Sequence, residues 1–446
     1  MKTILTIFLA ITAVRVDGVT PVTVLFPDPV SELEAPGGSR FLADWMDLHL
    51  SAIRVCKIRS HHSRQLAYMS VALYESIVEG DQAYRSLSGQ LNGYDTDPAP
   101  ADNREICWLA GATASLAETF RYFYADNPMT VTRVDSMEQA CIKKLAAQGF
   151  SETAIMNGRK HGMRIAASVI AWSKTDGEDK ANAPYTLPEG PGLYERTPPA
   201  FPNPILPYMG NCRTMIRGSI DNTLPPPPPA FSEDITSPFY QMVDLVYRTS
   251  MEKKPEEVAT ALFWDDYPDG RTVTGGGHWE SILKTVMIQQ NLSLIEAAHA
   301  FAGLYITLEE AEIGCFRAKY TYNLLRPVTY IRKYMNKPDW SPLIVTPPHP
   351  EYPAAHATKS MSAATILTHI LGDNISFADN TYAYRNYPAH HFNNFIEAGR
   401  EAGISRLYGG IHYLPSIEAG YEQGSKIADN VAKALVFKKD DAMGNR

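Results

Sequence analysis

Apolar residues recur every three to four positions through most of the chain, a period that predicts helices rather than strands. In "SRQLAYMSVALYESIVEG" the residues Leu66, Met69, Leu73 and Ile77 fall on one stripe, the spacing of a buried helix face. The same period runs through approximately 40–60, 104–124, 130–148, 151–173, 235–251, 279–291, 294–325, 355–371, 393–408 and 416–437. No segment alternates convincingly with the period of two that a half-buried strand requires. An all-α protein with little or no β structure is therefore expected.

The helical pattern stops between about 176 and 232, where "PYTLPEGPGLYERTPPAFPNPILPYMGNC" and "LPPPPPAFSED" occur. Proline at this density cannot continue a helix. A plain linker would carry more Gly, Ser and charge. The Tyr, Phe and Leu content predicts instead an ordered strap lying across helices and walling a pocket. The expected organisation is a signal segment over 1–18, an N-terminal helical bundle over 19–175, the proline-rich excursion over 176–232 and a C-terminal bundle over 233–446. No repeat of solenoid length interrupts this plan.

Composition narrows the function classes. The chain has 446 residues, 45% hydrophobic and 20% charged, which is ordinary globular usage. A formal net charge of −8 argues against nucleic acid as the main partner, although a local basic pocket remains compatible with it. The start, "MKTILTIFLAITAVRVDG", has an early Lys, an apolar run and small residues after it. That is the pattern of a secretory signal, so an exported chain, periplasmic or secreted, is expected. No later stretch reaches the roughly 18 uninterrupted apolar residues of a membrane helix, so no integral membrane association is expected. Cys56, Cys107, Cys141, Cys212 and Cys315 lack metal-type spacing; their odd number leaves at least one unpaired, and most are expected in the core.

Three segments of the last third concentrate the chemistry. In "CFRAKYTYNLLRPVTYIRK", Lys319 and Arg326 lie seven positions apart, which on one helix brings them to nearly the same face. Pro327 then bends or ends that helix. In "YPAAHATKSMSAATILTHIL", Pro353 occupies a helix start with no Ser, Thr or Asp to cap it. The amides of Ala354, Ala355 and His356 would lack intrahelical partners, and such helix ends bind anions. In "GISRLYGGIHYLPS", a helix carrying Arg406 meets Gly409-Gly410, and His412 follows the break. Two guanidinium groups and an ammonium can neutralise a tetrahedral or trigonal-bipyramidal oxyanion through charge-assisted bonds. Taken singly, each segment also reads as an ordinary amphipathic helix, a solvent-capped helix start or a helix C-cap.

Together, Lys319 with Arg326-Pro327, Pro353 with His356, and Ser405-Arg406 with His412 resemble the signature of the vanadium haloperoxidase and type 2 phosphatidic acid phosphatase superfamily. "FWDDYPDGRTVTGGGHW" and the proline strap are similar to the exported bacterial haloperoxidase-like branch, including iodoperoxidases. The resemblance implies a fold of two helical bundles and vanadate as cofactor, with phosphate able to occupy the same site. It implies His412 as the axial nitrogen ligand of the metal. Lys319, Arg326 and Arg406 would hold the oxygens with the Ala354-Ala355 turn, and His356 would manage protons at the opposite apex. Hydrogen peroxide and a halide, iodide or bromide, would be the substrates. The superfamily equally accommodates a soluble, metal-free acid phosphatase acting on a phosphate ester, with His412 as nucleophile and His356 as acid. A member that only binds an oxyanion, or a structural helical protein, stays open, as does oligomerisation.

Departures from the family pattern bear on activity. Ser-Gly normally lies between the Pro and the His; here the residues are Ala354 and Ala355. The missing hydroxyl removes an oxyanion contact worth roughly 1–3 kcal/mol. On the halide side, Phe316 stands where Trp is frequent, three residues before Lys319. His349, seven before His356, stands where bromoperoxidase-like members carry His and chloroperoxidase-like members Phe. The resemblance therefore implies chloride as the least favoured halide. Other features take simpler readings: Gly275-Gly276-Gly277 lacks a Walker-type lysine, His61-His62 and His390-His391 lack the spacing of metal ligands, and Asp265-Asp266 suits a turn cap better than a cation site.

Overall fold

The computed structural model describes residues 38–56, 62–99, 105–267 and 270–439. The expected signal segment 1–18 and the side chains of Cys56, His61 and His62 lie outside the described residues. Thirteen α-helices form the described chain: α1 (Gly38–Cys56), α2 (His62–Glu75), α3 (Trp108–Phe123), α4 (Pro128–Ala147), α5 (Glu152–Ser173), α6 (Pro238–Glu252), α7 (Pro255–Phe263), α8 (Thr274–Gln289), α9 (Leu294–Tyr322), α10 (Pro327–Lys333), α11 (Ala355–Leu371), α12 (Phe395–Tyr408) and α13 (Leu414–Ala434). One small antiparallel ribbon, β1 (Phe377–Asp379) with β2 (His390–Phe392), pairs Ala378 with His391.

Helix α9 is the axis of the fold. Ser293 and Glu296 close a capping box at its start, and most of its 29 residues are buried. A helix buried on nearly every face has to be packed on all sides, here with Glu309, Glu310, Glu312 and Lys319 among the buried residues. Helix α2 lies on it from the N-terminal half and α11 from the C-terminal half, while α1 packs on both α8 and α9. The N-terminal helices therefore share one continuous core with the C-terminal ones, from Phe41 to Phe437. Helix α11 is in turn wedged against α12 and α13. The approach of α13 is close because Gly420 has no side chain: a Cβ there would lie 2.8 Å from Ala357 Cβ and 2.9 Å from Ala354 O.

The proline-rich segment is ordered and lies across α9 and the loops that follow it. Tyr194 N–H donates to Asn323 O (2.7 Å), Leu325 N–H to Gly192 O (3.0 Å) and Ile205 N–H to Pro348 O (3.0 Å). Tyr352 and Tyr330 hydroxyls tie down the carbonyls of Pro226 and Ser232. These bonds replace the ladder that a proline-rich chain cannot build for itself.

Three local expectations need correction. Lys319 and Arg326 do not share a helix: α9 ends at Tyr322, Asn323 turns into the left-handed region (φ 46°), and Arg326 is the N-cap of α10. Helices α7 and α10 fall outside the spans read from the sequence because each is about two turns long, too short for periodicity to show. Helix α8 starts at Thr274 rather than near 279, since glycine in its first turns conceals the pattern. No described helix is long and apolar enough to cross a membrane. Cys107, Cys141, Cys212 and Cys315 are buried free thiols, as core placement predicts.

Candidate active site

Loops and helix ends bring the three segments together at the start of α11. Lys319, Arg326, Arg406 and His412 are all buried. Arg326 Nη1 donates to His412 Nε2 at 3.1 Å and to Ile411 O, while its Nε donates to His349 O at 2.9 Å. An arginine can only donate, so His412 Nε2 must be the unprotonated nitrogen. The proton sits on Nδ1 and is donated to Glu351 Oε1 at 2.8 Å. Glu351 is also held by the Tyr413 amide (2.9 Å) and the Ser416 hydroxyl. This carboxylate–imidazole pair fixes the tautomer that leaves Nε2 as a lone-pair donor. Burial, with Arg326, Lys319, His349 and Arg406 around it, keeps His412 well below the usual histidine range and hence neutral.

Arg406, on the last turn of α12, anchors one Nη1 proton on Trp264 O at 2.8 Å, while its buried Nε and Nη2 have no hydrogen-bond partner. Buried guanidinium protons are rarely left open without a ligand to receive them. The Ala355 and His356 amides at the start of α11 are likewise without an acceptor among the described residues. The Ala354 amide is not available, contrary to the sequence reading: it donates to Ser416 O at 2.9 Å. Ala354 is the N-cap itself and Pro353 precedes it, so the helix starts two residues later than a Pro at the first position implies.

Lys319 has a different employment from a free cation. Its Nζ donates to the carbonyls of Pro350 (2.9 Å), Glu351 (2.9 Å) and Pro353 (2.6 Å). All three ammonium protons thus staple the loop that carries His349, Glu351 and the start of α11. Burial pushes Lys319 down to about 7 and Glu351 up to about 7.

His356 lies beside a pocket of about 250 Å³ whose walls include Gly275, Phe316, His349 and Ala355, with Ile205 and Leu206 of the strap closing one side. Its Nε2 is 3.3 Å from Asp266 Oδ2. Burial would raise the Asp266 carboxyl, but His278 and His356 beside it hold it well below the usual carboxylate range. His356 Nε2 therefore donates, and Nδ1 carries the lone pair. Burial and Arg406, opposed by Asp266, lower His356 to about 4, so the ring is a neutral proton acceptor at pH 7. His349 is buried against Phe316, ring centroids 5.2 Å apart. Its Nδ1 lies 3.0 Å from Arg326 Nη2 and 3.1 Å from Pro350 O, and burial, with Lys319 and Arg326 beside it, keeps the ring neutral.

The structure thus gathers Lys319, Arg326, Arg406, His412, Ala355, His356, Phe316 and His349 around one locus, with Ala354 at its edge. Sequence reasoning missed Glu351 and treated Asp266 as a turn residue. An acidic residue beside two prolines, just before an uncapped helix, was the only available hint for Glu351. Among the described residues no group of three or more His, Cys, Asp and Glu is placed to hold a metal ion.

Residues 299–438 match the family model of the VCPO second helical-bundle domain. A bacterial structure described as the first vanadium-dependent iodoperoxidase of that origin superposes with TM-score 0.82 at 29% identity, covering 92% of this chain and 99% of that one. The holo form of a bacterial vanadium-dependent chloroperoxidase superposes with TM-score 0.64 at 15% identity, covering 85% and 92%. Its apo counterpart gives TM-score 0.62 at 15% identity, covering 83% and 91%. Among curated protein sequences no relative matches.

Proposed function

Since the chain belongs to the vanadium haloperoxidase superfamily, we propose that it is a vanadate-dependent haloperoxidase that oxidises iodide or bromide with hydrogen peroxide. The observation that carries this reading is the pairing of an unprotonated His412 Nε2, fixed by Glu351, with the open Nε and Nη2 protons of Arg406. The donor set fits vanadate: His412 Nε2 would offer a nitrogen lone pair to the metal, and the guanidinium and amide protons would hold its oxygens.

Bound vanadate supplies Lewis acidity that activates hydrogen peroxide without a change of metal oxidation state. His412 offers its Nε2 lone pair, with Glu351 keeping the proton on Nδ1. Arg406 and Arg326 neutralise oxygen charge, and the Ala355 and His356 amides add dipoles from the helix end. Lys319 holds the loop rigid through three carbonyls and can reach an oxygen only by releasing one of them. His356 accepts a proton on Nδ1 as peroxide is deprotonated, while Asp266 keeps the ring oriented through Nε2. Phe316 and the His349 ring line the pocket beside His356 and would form the approach of a halide. The iodoperoxidase likeness supports iodide as the preferred halide. The first residues read as a secretory signal, which supports an exported enzyme.

The test is to assay purified protein with and without orthovanadate for triiodide formation and for bromide-dependent halogenation, beside p-nitrophenyl phosphate hydrolysis without vanadate. Vanadate-dependent iodide oxidation that vanishes in His412→Ala is the expected outcome. Phosphate release with no halide oxidation would instead establish the phosphatase reading, in which the same Glu351–His412 pair readies Nε2 as nucleophile.

A further inference from the structure

Behind His356 lies a second buried charge that the proposed reaction does not use. His278, on α8, has both ring nitrogens on carboxylates: Nδ1 lies 2.9 Å from Asp266 Oδ1 and Nε2 lies 2.8 Å from Asp379 Oδ2. Ionised carboxylates only accept, and a neutral imidazole has one proton to give. Two such contacts at hydrogen-bond distance therefore require the doubly protonated ring. The surroundings enforce this. Trp264 stacks on the ring at 4.1 Å, Phe263 and Tyr382 meet it edge-on, and water is excluded. Burial lowers the proton affinity of the ring, but Asp266 and Asp379 overcome it and raise His278 to about 10.

The cluster is wired to the candidate site at two points. Asp266 Oδ2 meets His356, and the carbonyl of Trp264, the residue stacked on His278, receives Arg406 Nη1. Asp266 itself sits in the left-handed region (φ 49°), a conformation that its three side-chain partners His278, Tyr382 and His356 hold in place. Asp379 is fixed from the ribbon β1, where its other oxygen accepts the Thr381 amide at 2.9 Å.

We propose that His278 is a permanently charged positioning residue: its imidazolium, clamped between Asp266 and Asp379, holds the segment that anchors His356 and Arg406 and sets how much negative charge His356 feels. The inference rests on the reading of His356 as the proton-handling residue. With its three members charged, the clamp carries one net negative charge. The remaining groups facing His356 are Arg406 from α12, Lys359 on its own helix, ion-paired to Glu312 of α9, and the neutral His349 ring.

Charge counting separates this role from a merely structural one. His278→Gln leaves two negative charges behind His356 and raises its proton affinity. Asp379→Asn removes one and lowers it. The double variant restores one net negative charge and returns His356 toward the wild-type value. Each single change is expected to alter the proton affinity about tenfold or more, given unit charges within roughly 10 Å at an effective dielectric near 20.

The measurement is the NMR titration of histidine-labelled, vanadate-free protein, with His278 and His356 signals assigned from His278→Gln and His356→Gln spectra. Expected are two N–H protons on His278 at pH 7, opposite movements of the His356 titration in the two single variants, and recovery in the double variant. One N–H on His278, movements in the same direction, or a double variant no closer to wild type than the worse single one would overturn the proposal. Because no vanadate is present, these outcomes are independent of whether the protein oxidises halide.

Discussion

Replacing Glu351 with glutamine isolates the element on which the site's chemistry depends. The substitution keeps the shape. A glutamine carbonyl can still accept from His412 Nδ1 and the Tyr413 amide, and its NH2 can donate to Ser416, whose hydroxyl accepts as well as donates. Charge assistance is lost on these bonds, about 1 kcal/mol apiece, but a buried carboxylate no longer has to be desolvated, so the fold should persist. What changes is electron donation at His412 Nε2. Removing a carboxylate that orients a ligating imidazole weakens metal binding about 10–100-fold, or about 1.4–2.7 kcal/mol. Phosphate forms no bond to that nitrogen and loses a repulsive neighbour, so its affinity should hold or rise. Calorimetric titration of wild type and Glu351→Gln with orthovanadate and with phosphate, at pH 8 where Glu351 is ionised, gives the comparison. The ratio of vanadate to phosphate dissociation constants should increase at least about tenfold. At pH 5.5 the gap should close, because Glu351, raised to about 7, is protonated in the wild type too. Equal changes for the two anions would refute the reasoning: His412 would then be a bystander in a plain anion cradle.

Further outcomes follow from the same contacts. Ala354→Ser supplies the N-cap side chain that α11 lacks, and should stabilise the anion-free protein by about 1 kcal/mol, roughly 1 °C in Tm for a chain of this size; vanadate affinity should rise with the restored hydroxyl. Gly420→Ala forces α13 off the start of α11, and should lower stability by about 1–3 kcal/mol in denaturant titrations while weakening phosphate binding. His278 is raised from 6.5 to about 10, so the stability it contributes is full below pH 6.5 and lost as pH rises toward 10; the wild-type advantage over His278→Gln in melting experiments should shrink across that window.

Much of this was legible in the sequence, for physical reasons. Long amphipathic helices announce themselves through their period, and α9, α11 and α12 stand close to where it puts them. Lys319, Arg326, Arg406, His356 and His412 stood out through the combined spacing of three segments, Lys-x6-Arg-Pro, Pro-x-x-His and Ser-Arg-x5-His, since each segment alone reads as an ordinary helix or helix end. The positions of protons did not show. Whether Lys319 faces an oxyanion or three carbonyls depends on how the 350–353 loop folds over it, which no spacing encodes. Glu351 and Asp266 were hidden because their partners lie 61 and 12 positions or more away, joined only by tertiary packing. Helix α8 escaped at its start because three glycines read as a loop, although Gly275 lies in the first turn, against the His356 ring.

The most direct test is a crystal structure of the protein soaked with orthovanadate. The account predicts vanadium bonded to His412 Nε2, with the open Nε and Nη2 of Arg406 on its oxygens and the Glu351 contact to Nδ1 intact. Vanadate bound elsewhere, or held by the arginines with His412 still facing Arg326, would contradict it.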